Sequence, residues 1–240
     1  MDALTIERKG NAGRAHRFAG HVVAFDASGA AFFPELGLLV VSDLHLERGA
    51  AHARRGFFLP PYDTGRTLAA LSAVIARYRP ARVVSLGDNF HDRVGAREMP
   101  SQARDALSAL VESRDWVWIN GNHDPDGVGG LPGRVFDVWR LEGLTFRHEP
   151  GGHEPTRKAE AEICGHLHPS AVLRRPGKSV RRPCFAADAM RLMLPAFATT
   201  RGGLDLRHSA FAGLFDRKLL NVHMLGPDRV YSLPFAALGP

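Results

Sequence analysis

Leu38-Leu39-Val40-Val41 is a short unbroken apolar run, the pattern of a strand buried on both faces of a parallel sheet. Ahead of it, His21 to Phe25 and Ala30 to Phe33 read as strands joined by the turn composition Asp26-Ala-Ser-Gly29. A long polar loop is expected after Val41, to about Tyr62. Asp63 or Thr64 then suits the cap of a helix running to about Tyr78, with Leu68, Leu71, Val74 and Ile75 on one face. Arg82 to Leu86 is the next strand. Pro100 sits where a first helical turn tolerates it, and the helix continues through Leu107, Leu110 and Val111. Trp116 to Ile119 is a third strand of this half. Strand and helix alternate here as they do in a parallel sheet with crossover helices. Beyond it the long helical periods fade. Val135 to Trp139, Leu144 to Arg147, Glu160 to Cys164, Val180 to Cys184, Arg191 to Leu194 and Arg229 to Ser232 read as strands of a second sheet packed on the first. Residues 1–18 read as a loose polar leader, and nothing divides residues 1–240 into two domains.

At 240 residues with 45% hydrophobic content, the chain is large enough for one substantial core. No apolar run approaches the roughly 20 residues that span a bilayer, and the charged N-terminus lacks the apolar stretch of a secretory signal. Two cysteines, Cys164 and Cys184, are too few for a disulfide scaffold, so a cytoplasmic, reduced protein is the expectation. Net charge is +6, and 27 of the 31 basic residues are Arg, with Lys only at 9, 158, 178 and 218. Such a balance permits a polyanionic partner without requiring one.

Twelve histidines matter through where they fall. Ser42-Asp43-Leu44-His45 follows the first apolar run, and Gly87-Asp88-Asn89-Phe90-His91-Asp92 follows Arg82–Leu86. Asn120-Gly121-Asn122-His123-Asp124 follows Trp116–Ile119, His148 follows Leu144–Arg147, and Gly165-His166-Leu167-His168 follows Glu160–Cys164. Ligands gather outside the carboxyl ends of strands in open α/β sheets, so these side chains can converge across more than a hundred residues. Imidazole and carboxylate without thiolate suit Mn, Fe or Zn rather than a cysteine-type structural zinc site. On an extended backbone, Asp-x-His and His-x-His each place two ligands on one side. Asp43, His45, Asp88, Asn122, His148, His166 and His168 are too many for one ion. They suit two ions sharing a bridging carboxylate, a standard device for in-line displacement at phosphorus.

Asp43-x-His45, Gly87-Asp88-x-x-His91, Gly121-Asn122-His123-Asp124, His148 and Gly165-His166-x-His168 together resemble the ordered motif set of the calcineurin-like metallophosphoesterases. The resemblance implies a four-layer α/β sandwich, two mixed β-sheets flanked by helices. It implies one divalent ion on Asp43, His45 and His168, a second on Asn122, His148 and His166, and Asp88 bridging them. His123 falls at the position beside the leaving group, as proton donor or charge stabiliser, and the nucleophile implied is metal-bound hydroxide. His91 stands where many relatives carry the Asp that orients this histidine, and His there resembles the superfamily's DNA-repair nucleases. This departure leaves the orienting partner of His123 open, with Asp92 as one candidate.

Isolated, Asp-x-His is more often a loop or cap, and Gly-His-x-His a turn; only their ordered combination is specific. His153-Glu-Pro nearly copies His148-Glu-Pro, but His148 directly follows strand residues. His16, His21, His208 and His223 fit surface or core positions, and His52 lies on the loop that can approach substrate. Trp116, Trp118 and Trp139 fit core strand positions, and Cys164 a buried strand. Arg174, Arg175, Lys178, Arg181 and Arg182 are either a footing for a phosphate backbone or a solvated hairpin.

Flanking residues extend the likeness. Asp43-Leu-His-Leu-Glu47, Arg54-Arg-Gly-Phe-Phe-Leu-Pro-Pro-Tyr-Asp-Thr64, Arg182-Pro-Cys-Phe-Ala-Ala-Asp188 and Leu192-Met-Leu-Pro-Ala-Phe197 resemble the bacterial ligase-associated DNA damage response phosphoesterase/endonuclease family. That resemblance implies a Mn-dependent phosphodiesterase or endonuclease acting on DNA, encoded near a DNA ligase, a helicase and an exonuclease, with a homodimer open. The rival substrates are a small nucleotide and a nucleotide-lipid pyrophosphate. The rival class is a non-catalytic scaffold, against which every ligand position is filled.

Overall fold

The computed structural model describes residues 15–57, 63–151, 160–198 and 203–239. In chain order the strands of the first sheet are β1 (Ala15–Phe18), β2 (His21–Phe25), β3 (Ala31–Phe33), β4 (Leu38–Val41), β5 (Arg82–Leu86), β6 (Asp115–Ile119) and β7 (Arg134–Phe136). They lie side by side in that order, antiparallel from β1 to β4 and parallel from β4 to β7. Helices α1 (Arg48–Arg54), α2 (Asp63–Tyr78), α3 (Gly95–Glu98) and α4 (Ser101–Glu112) occupy the connections.

The second sheet takes β8 (Val138–Leu141), β9 (Leu144–Arg147), β10 (Ala161–Cys164), β11 (Pro169–Arg175), β12 (Lys178–Ala187), β13 (Arg191–Met193) and β14 (Leu204–Asp205). Its order is β14-β11-β12-β13-β10-β9-β8. Two later strands, β15 (Asn221–Leu225) and β16 (Val230–Pro234), join through β12. Strands β9, β10 and β13 run parallel and their neighbours antiparallel, so this sheet is mixed as well.

The apolar runs are unbroken because both faces of each sheet are covered. Leu38, Val40, Val84, Leu86, Val117 and Ile119 point into a core shared with Phe146, Ile163, Phe185 and Leu192 of the second sheet. The alternate residues Leu39, Val41, Val83, Trp116 and Trp118 face the helices, meeting Leu68, Leu71, Val74 and Ile75 of α2 and Leu107 and Val111 of α4. The outer face of the second sheet is covered by Phe211, Phe215, Leu220 and Leu238, from short 3-10 turns and loops rather than long helices. Among the described residues, no helix is long and apolar enough to cross a membrane.

Several expectations change. The leader was expected to reach residue 18, but Ala15–Phe18 pairs with His21–Ala24 as the edge of the first sheet; residues 1–14 lie outside the described residues. The loop after Val41 contains α1, whose Gly49 and Ala51 are buried. Asp63 and Thr64 lie inside α2, and their side chains serve α1 instead: Gly49 N–H donates to Asp63 Oδ2 at 2.7 Å and Glu47 N–H to Thr64 Oγ1 at 2.8 Å. The run Val135–Trp139 is two strands, one in each sheet, with the crossing at Asp137. Strands β11, β14 and β15 were not anticipated.

Candidate metal centre

Three loops leave the carboxyl ends of the adjacent parallel strands β4, β5 and β6, and two leave β9 and β10 of the other sheet. The loops after β4 and β5 run side by side: the N–H groups of Asp43, His45 and Leu46 donate to the carbonyls of Gly87, Asp88 and Asn89. Asp-x-His was expected to be extended, and it is not. Asp43, His45, Asp88, His166 and His168 all have φ between 44° and 69°. This left-handed backbone costs a non-glycine residue about 1 kcal/mol or more and persists only where surrounding structure enforces it. Here it curls each loop so that alternate side chains still face one centre.

Asp43, His45 and His168 form one group whose candidate ligand atoms lie within 4.8 Å of one another; Asp88, His148 and His166 form a second. Asp88 faces both, with Oδ1 3.4 Å from His148 Nε2 and Oδ2 3.9 Å from His45 Nε2. Asn122 Oδ1 lies 2.9 Å from His148 Nε2. Every residue expected to ligate is therefore at this centre. His153, the rival to His148, lies outside the described residues.

The donor chemistry suits cations. His148 Nδ1 is 2.8 Å from the Leu86 carbonyl, which only accepts, so Nδ1 carries the proton of the neutral ring. Its Nε2 lone pair then faces Asn122 Oδ1, His166 Nδ1 at 3.2 Å and Asp88 Oδ1. Asp43 is fully buried. Its Oδ2 accepts from Ser42 Oγ–H at 2.5 Å and from the His166 N–H at 3.2 Å. Its Oδ1 makes no hydrogen bond, although His168 Nε2 stands 3.2 Å away. Converging lone pairs without protons between them are what a divalent ion satisfies.

Electrostatics keep Asp43, His45 and His166 in ligand form. Burial works against the Asp43 carboxylate, but nearby His168, with His148 and His45, holds its pKa below the usual carboxylate range. Burial pushes His45 down to about 3, with His168, His91 and His123 adding to the effect against the pull of Asp43. Burial and His148 lower His166, whereas Asp43 raises His168 against its burial.

His91 and His123 stand beside this centre, and with His45 they form a third close group. His91 Nδ1 is 3.4 Å from His45 Nδ1, and burial followed by the His123 charge lowers its pKa to about 4. The partner of His123 is not Asp92. His123 Nδ1 is 2.8 Å from the main-chain carbonyl of His91, which fixes the proton on Nδ1 and turns Nε2 towards solvent and Asp88. Asp92 is occupied by Arg54 at 2.7 Å and by the N–H groups of Val94 and Gly95. A cleft of about 360 Å³ opens here, lined by Arg55, His91, Arg93, Asn122 and His123. His52 stacks on His91, ring centroids 5.2 Å apart.

Three positioning residues, Ser42, Asn89 and Asp124, lie within or beside the sequence motifs but had no role assigned from sequence. Ser42 orients Asp43. Asp124, buried, accepts from the N–H groups of Asn89, Phe90 and Gly121, and burial raises its pKa to about 6. Asn89 accepts from Ser85 Oγ–H at 2.5 Å and donates to the Ile119 carbonyl at 3.0 Å. Together they lock the loop bearing Asp88 to the end of β6. Two motif glycines are required by close approach: a Cβ on Gly121 would sit 2.1 Å from Asp88 N, and one on Gly165 1.9 Å from Ser42 Oγ. The basic cluster is the β11–β12 hairpin, exposed at Arg174, Arg175, Lys178 and Arg182, with Arg181 turned back to Ser170 Oγ and the Gly203 carbonyl.

Comparison with known proteins follows the same lines. The nuclease MPE of Pseudomonas putida is similar over 92% of this chain and 100% of its own, with 28% identity and a TM-score of 0.70. The E. coli phosphoesterase Yfce aligns over 82% of this chain and 98% of its own, with 18% identity and a TM-score of 0.40. No curated protein matches the sequence. The family model of the calcineurin-like phosphoesterases matches residues 36–167, from the turn before β4 to the Gly-His-x-His loop. That stretch is more than half of the chain and contains all but one of the residues brought together at the centre; the chain belongs to the calcineurin-like phosphoesterases, hydrolases of phosphoric esters that use divalent metal ions.

Proposed function

We propose that this protein is a Mn²⁺-dependent phosphodiesterase that cleaves DNA, acting in the cytoplasm in DNA damage response. The observation that carries the reading is Asp88, whose two oxygens face the two ligand groups Asp43/His45/His168 and Asp88/His148/His166. Asp43, His45 and His168 would hold one ion, and Asn122, His148 and His166 the other, with Asp88 shared. When bound, the ions supply positive charge to the phosphate oxygens and acidify water at the site. The donor set is imidazole, carboxylate and amide without thiolate, which suits Mn²⁺.

The protein's own groups do the rest. His123, with Nδ1–H held by the His91 carbonyl, presents Nε2 to the cleft, where Nε2 takes a proton from solvent and passes it to the leaving oxygen. Asn122 and His91 line that cleft and confine the ester. Polymer substrates are favoured over small nucleotides by the open surroundings of the site: Asp92 in its wall is paired to Arg54 and Arg93 to Asp126, which leaves Arg55 as a cation without an ion pair among the described residues. The nuclease named among the similar structures, alike over its whole length, supports the same choice.

The test compares bis(p-nitrophenyl) phosphate, a cyclic nucleotide, and single-stranded, duplex and nicked DNA, with Mn²⁺, Fe²⁺ or Zn²⁺ supplied after chelation. Mn²⁺-dependent cleavage of the diester and of DNA is expected, abolished by Asp88→Asn. Hydrolysis confined to the cyclic nucleotide would replace the DNA reading, and an Asp88→Asn protein with its rate intact would remove the two-ion reading.

A further inference from the structure

Helix α1 begins three residues after His45 and is fixed at its N-terminal end and along the face of Arg54. The N–H of Glu47 donates to Thr64, the N–H of Gly49 to Asp63, and Arg54 reaches Asp92 at 2.7 Å and Glu98 at 2.5 Å. These contacts use the faces that carry Gly49 and Arg54. The remaining face carries Arg48 and His52, spaced i and i+4, and Arg55 at the C-terminal cap continues it at i+7, so that the three extend along about 10 Å. His52 stacks on His91, and Arg55 lines the cleft with His91 and His123. Arg48 and Arg55 are exposed and form no ion pair among the described residues.

Phe57 continues this edge. Its N–H donates to the His52 carbonyl at 2.9 Å, yet its side chain is 68% exposed. Cations without ion pairs among the described residues and, two residues past Arg55, an exposed aromatic ring make up a surface suited to a polynucleotide, because guanidinium groups take phosphates and every base has a face to stack. The β11–β12 hairpin is the competing cationic surface. Its tip, Arg175 paired with Lys178, lies seven strand residues beyond His168, about 20 Å away, and Arg181 is tied inward.

We propose that this face of α1 seats the polynucleotide backbone beside the scissile phosphate, with Arg48 and Arg55 holding flanking phosphates and Phe57 stacking a base. The inference rests on the polynucleotide reading above and specifies where such a substrate is gripped. It makes α1 the element that separates a polymer from a small diester at one and the same centre.

The test uses the full chain loaded with Mn²⁺ and compares kcat/KM for an oligothymidylate and for bis(p-nitrophenyl) phosphate at several salt concentrations. In the Arg48→Ala/Arg55→Ala protein, kcat/KM for the oligonucleotide is expected to fall at least about tenfold further than for the diester. Its dependence on log salt should flatten by about 1.4, two phosphates at about 0.7 each for a single strand. Arg48→Lys/Arg55→Lys, which keeps both charges, should retain the slope, and Phe57→Ala should raise the oligonucleotide KM about fivefold or more. The inference is overturned if the alanine pair affects both substrates equally or leaves the slope unchanged. It is also overturned if Arg175→Ala/Lys178→Ala causes the selective loss instead. A wild-type protein that hydrolyses the diester and leaves the oligonucleotide intact rejects the polynucleotide reading itself, an outcome distinct from any variant's failure.

Discussion

Replacing Gly121 by alanine places a methyl carbon 2.1 Å from the Asp88 main-chain nitrogen, 2.3 Å from Asp88 Oδ1 and 2.8 Å from Asp124 Oδ1. Ordinary contact needs about 3.4 Å, so Asp88 must retreat by more than 1 Å. Gly121 does not have a left-handed φ, so alanine is acceptable to the backbone and even restricts the unfolded chain favourably. What remains is the close approach itself. The obstacle is backbone, fixed by the hydrogen bonds of Asn89 and Asp124, and overpacking of this kind costs about 1–3 kcal/mol. For a chain of this size that lowers Tm by about 2–4 °C per kcal/mol.

The functional cost should be larger than the stability cost. Metal sites tolerate displacements of about 0.2 Å in their ligands, and a misplacement near 1 Å in a reacting array costs about a hundredfold in rate. G121A is therefore expected to stay folded while its Mn²⁺-dependent kcat/KM on bis(p-nitrophenyl) phosphate falls about a hundredfold. Activity is assayed across a Mn²⁺ titration, with bound metal measured on the same samples. A G121A protein retaining about half or more of wild-type kcat/KM with full metal content would refute the reasoning.

Other perturbations separate the parts. Ser42→Ala removes the hydroxyl that holds Asp43 Oδ2, and the Mn²⁺ concentration for half-maximal activity should rise about 10- to 100-fold; an unchanged midpoint would show that Ser42 does not orient that carboxylate. Burial, followed by the nearby His16 charge, lowers the pKa of His223 to about 3, so the unfolded chain binds more protons than the folded one between pH 3 and 6.5. The stability contributed by neutral His223 is complete above pH 6.5 and declines by about 1.4 kcal/mol per unit below it. Urea unfolding at pH 7 and pH 5 should therefore show wild type losing about 2 kcal/mol more than His223→Phe, which suits a site beside Phe25, and equal losses would refute the assignment. Leu71→Ala, fully buried between α2 and the first sheet, should cost about 2–5 kcal/mol, measured in the same way, with kcat little changed while the protein remains folded.

What was legible in the sequence follows from what chemistry constrains. Asp43, His45, Asp88, Asn122, His148, His166 and His168 stood out because few residue types bind metal and each follows a strand. Strands β4, β5 and β6 and helices α2 and α4 were legible because both faces of the first sheet are covered and the helices keep a 3.6-residue period. Helix α1 was not. Its seven residues, RGAAHAR, contain no large apolar side chain and are held by Asp63, Thr64 and Asp92 from elsewhere. The split of Val135–Trp139 was equally hidden. Periodicity reports that a residue is buried and says nothing of which sheet buries it; Asp137, accepting from Asn120 at 2.8 Å, marks the crossing.

The orientation of His123 shows a deeper limit. Side chains are what a sequence spells, and the partner it offers is Asp92, beside His91. The partner is the carbonyl of His91, a main-chain atom available at any residue type and presented here only because the loop after β5 is bent through Asp88. The same bend explains the left-handed φ of Asp88, and the loop is pinned by Asp124 and Asn89 from the far side. His91 thus contributes twice, with its ring beside His45 and its carbonyl on His123. Replacing the ring removes the first contribution and leaves the second, which is why the identity of residue 91 and the orientation of His123 are separable properties of this centre.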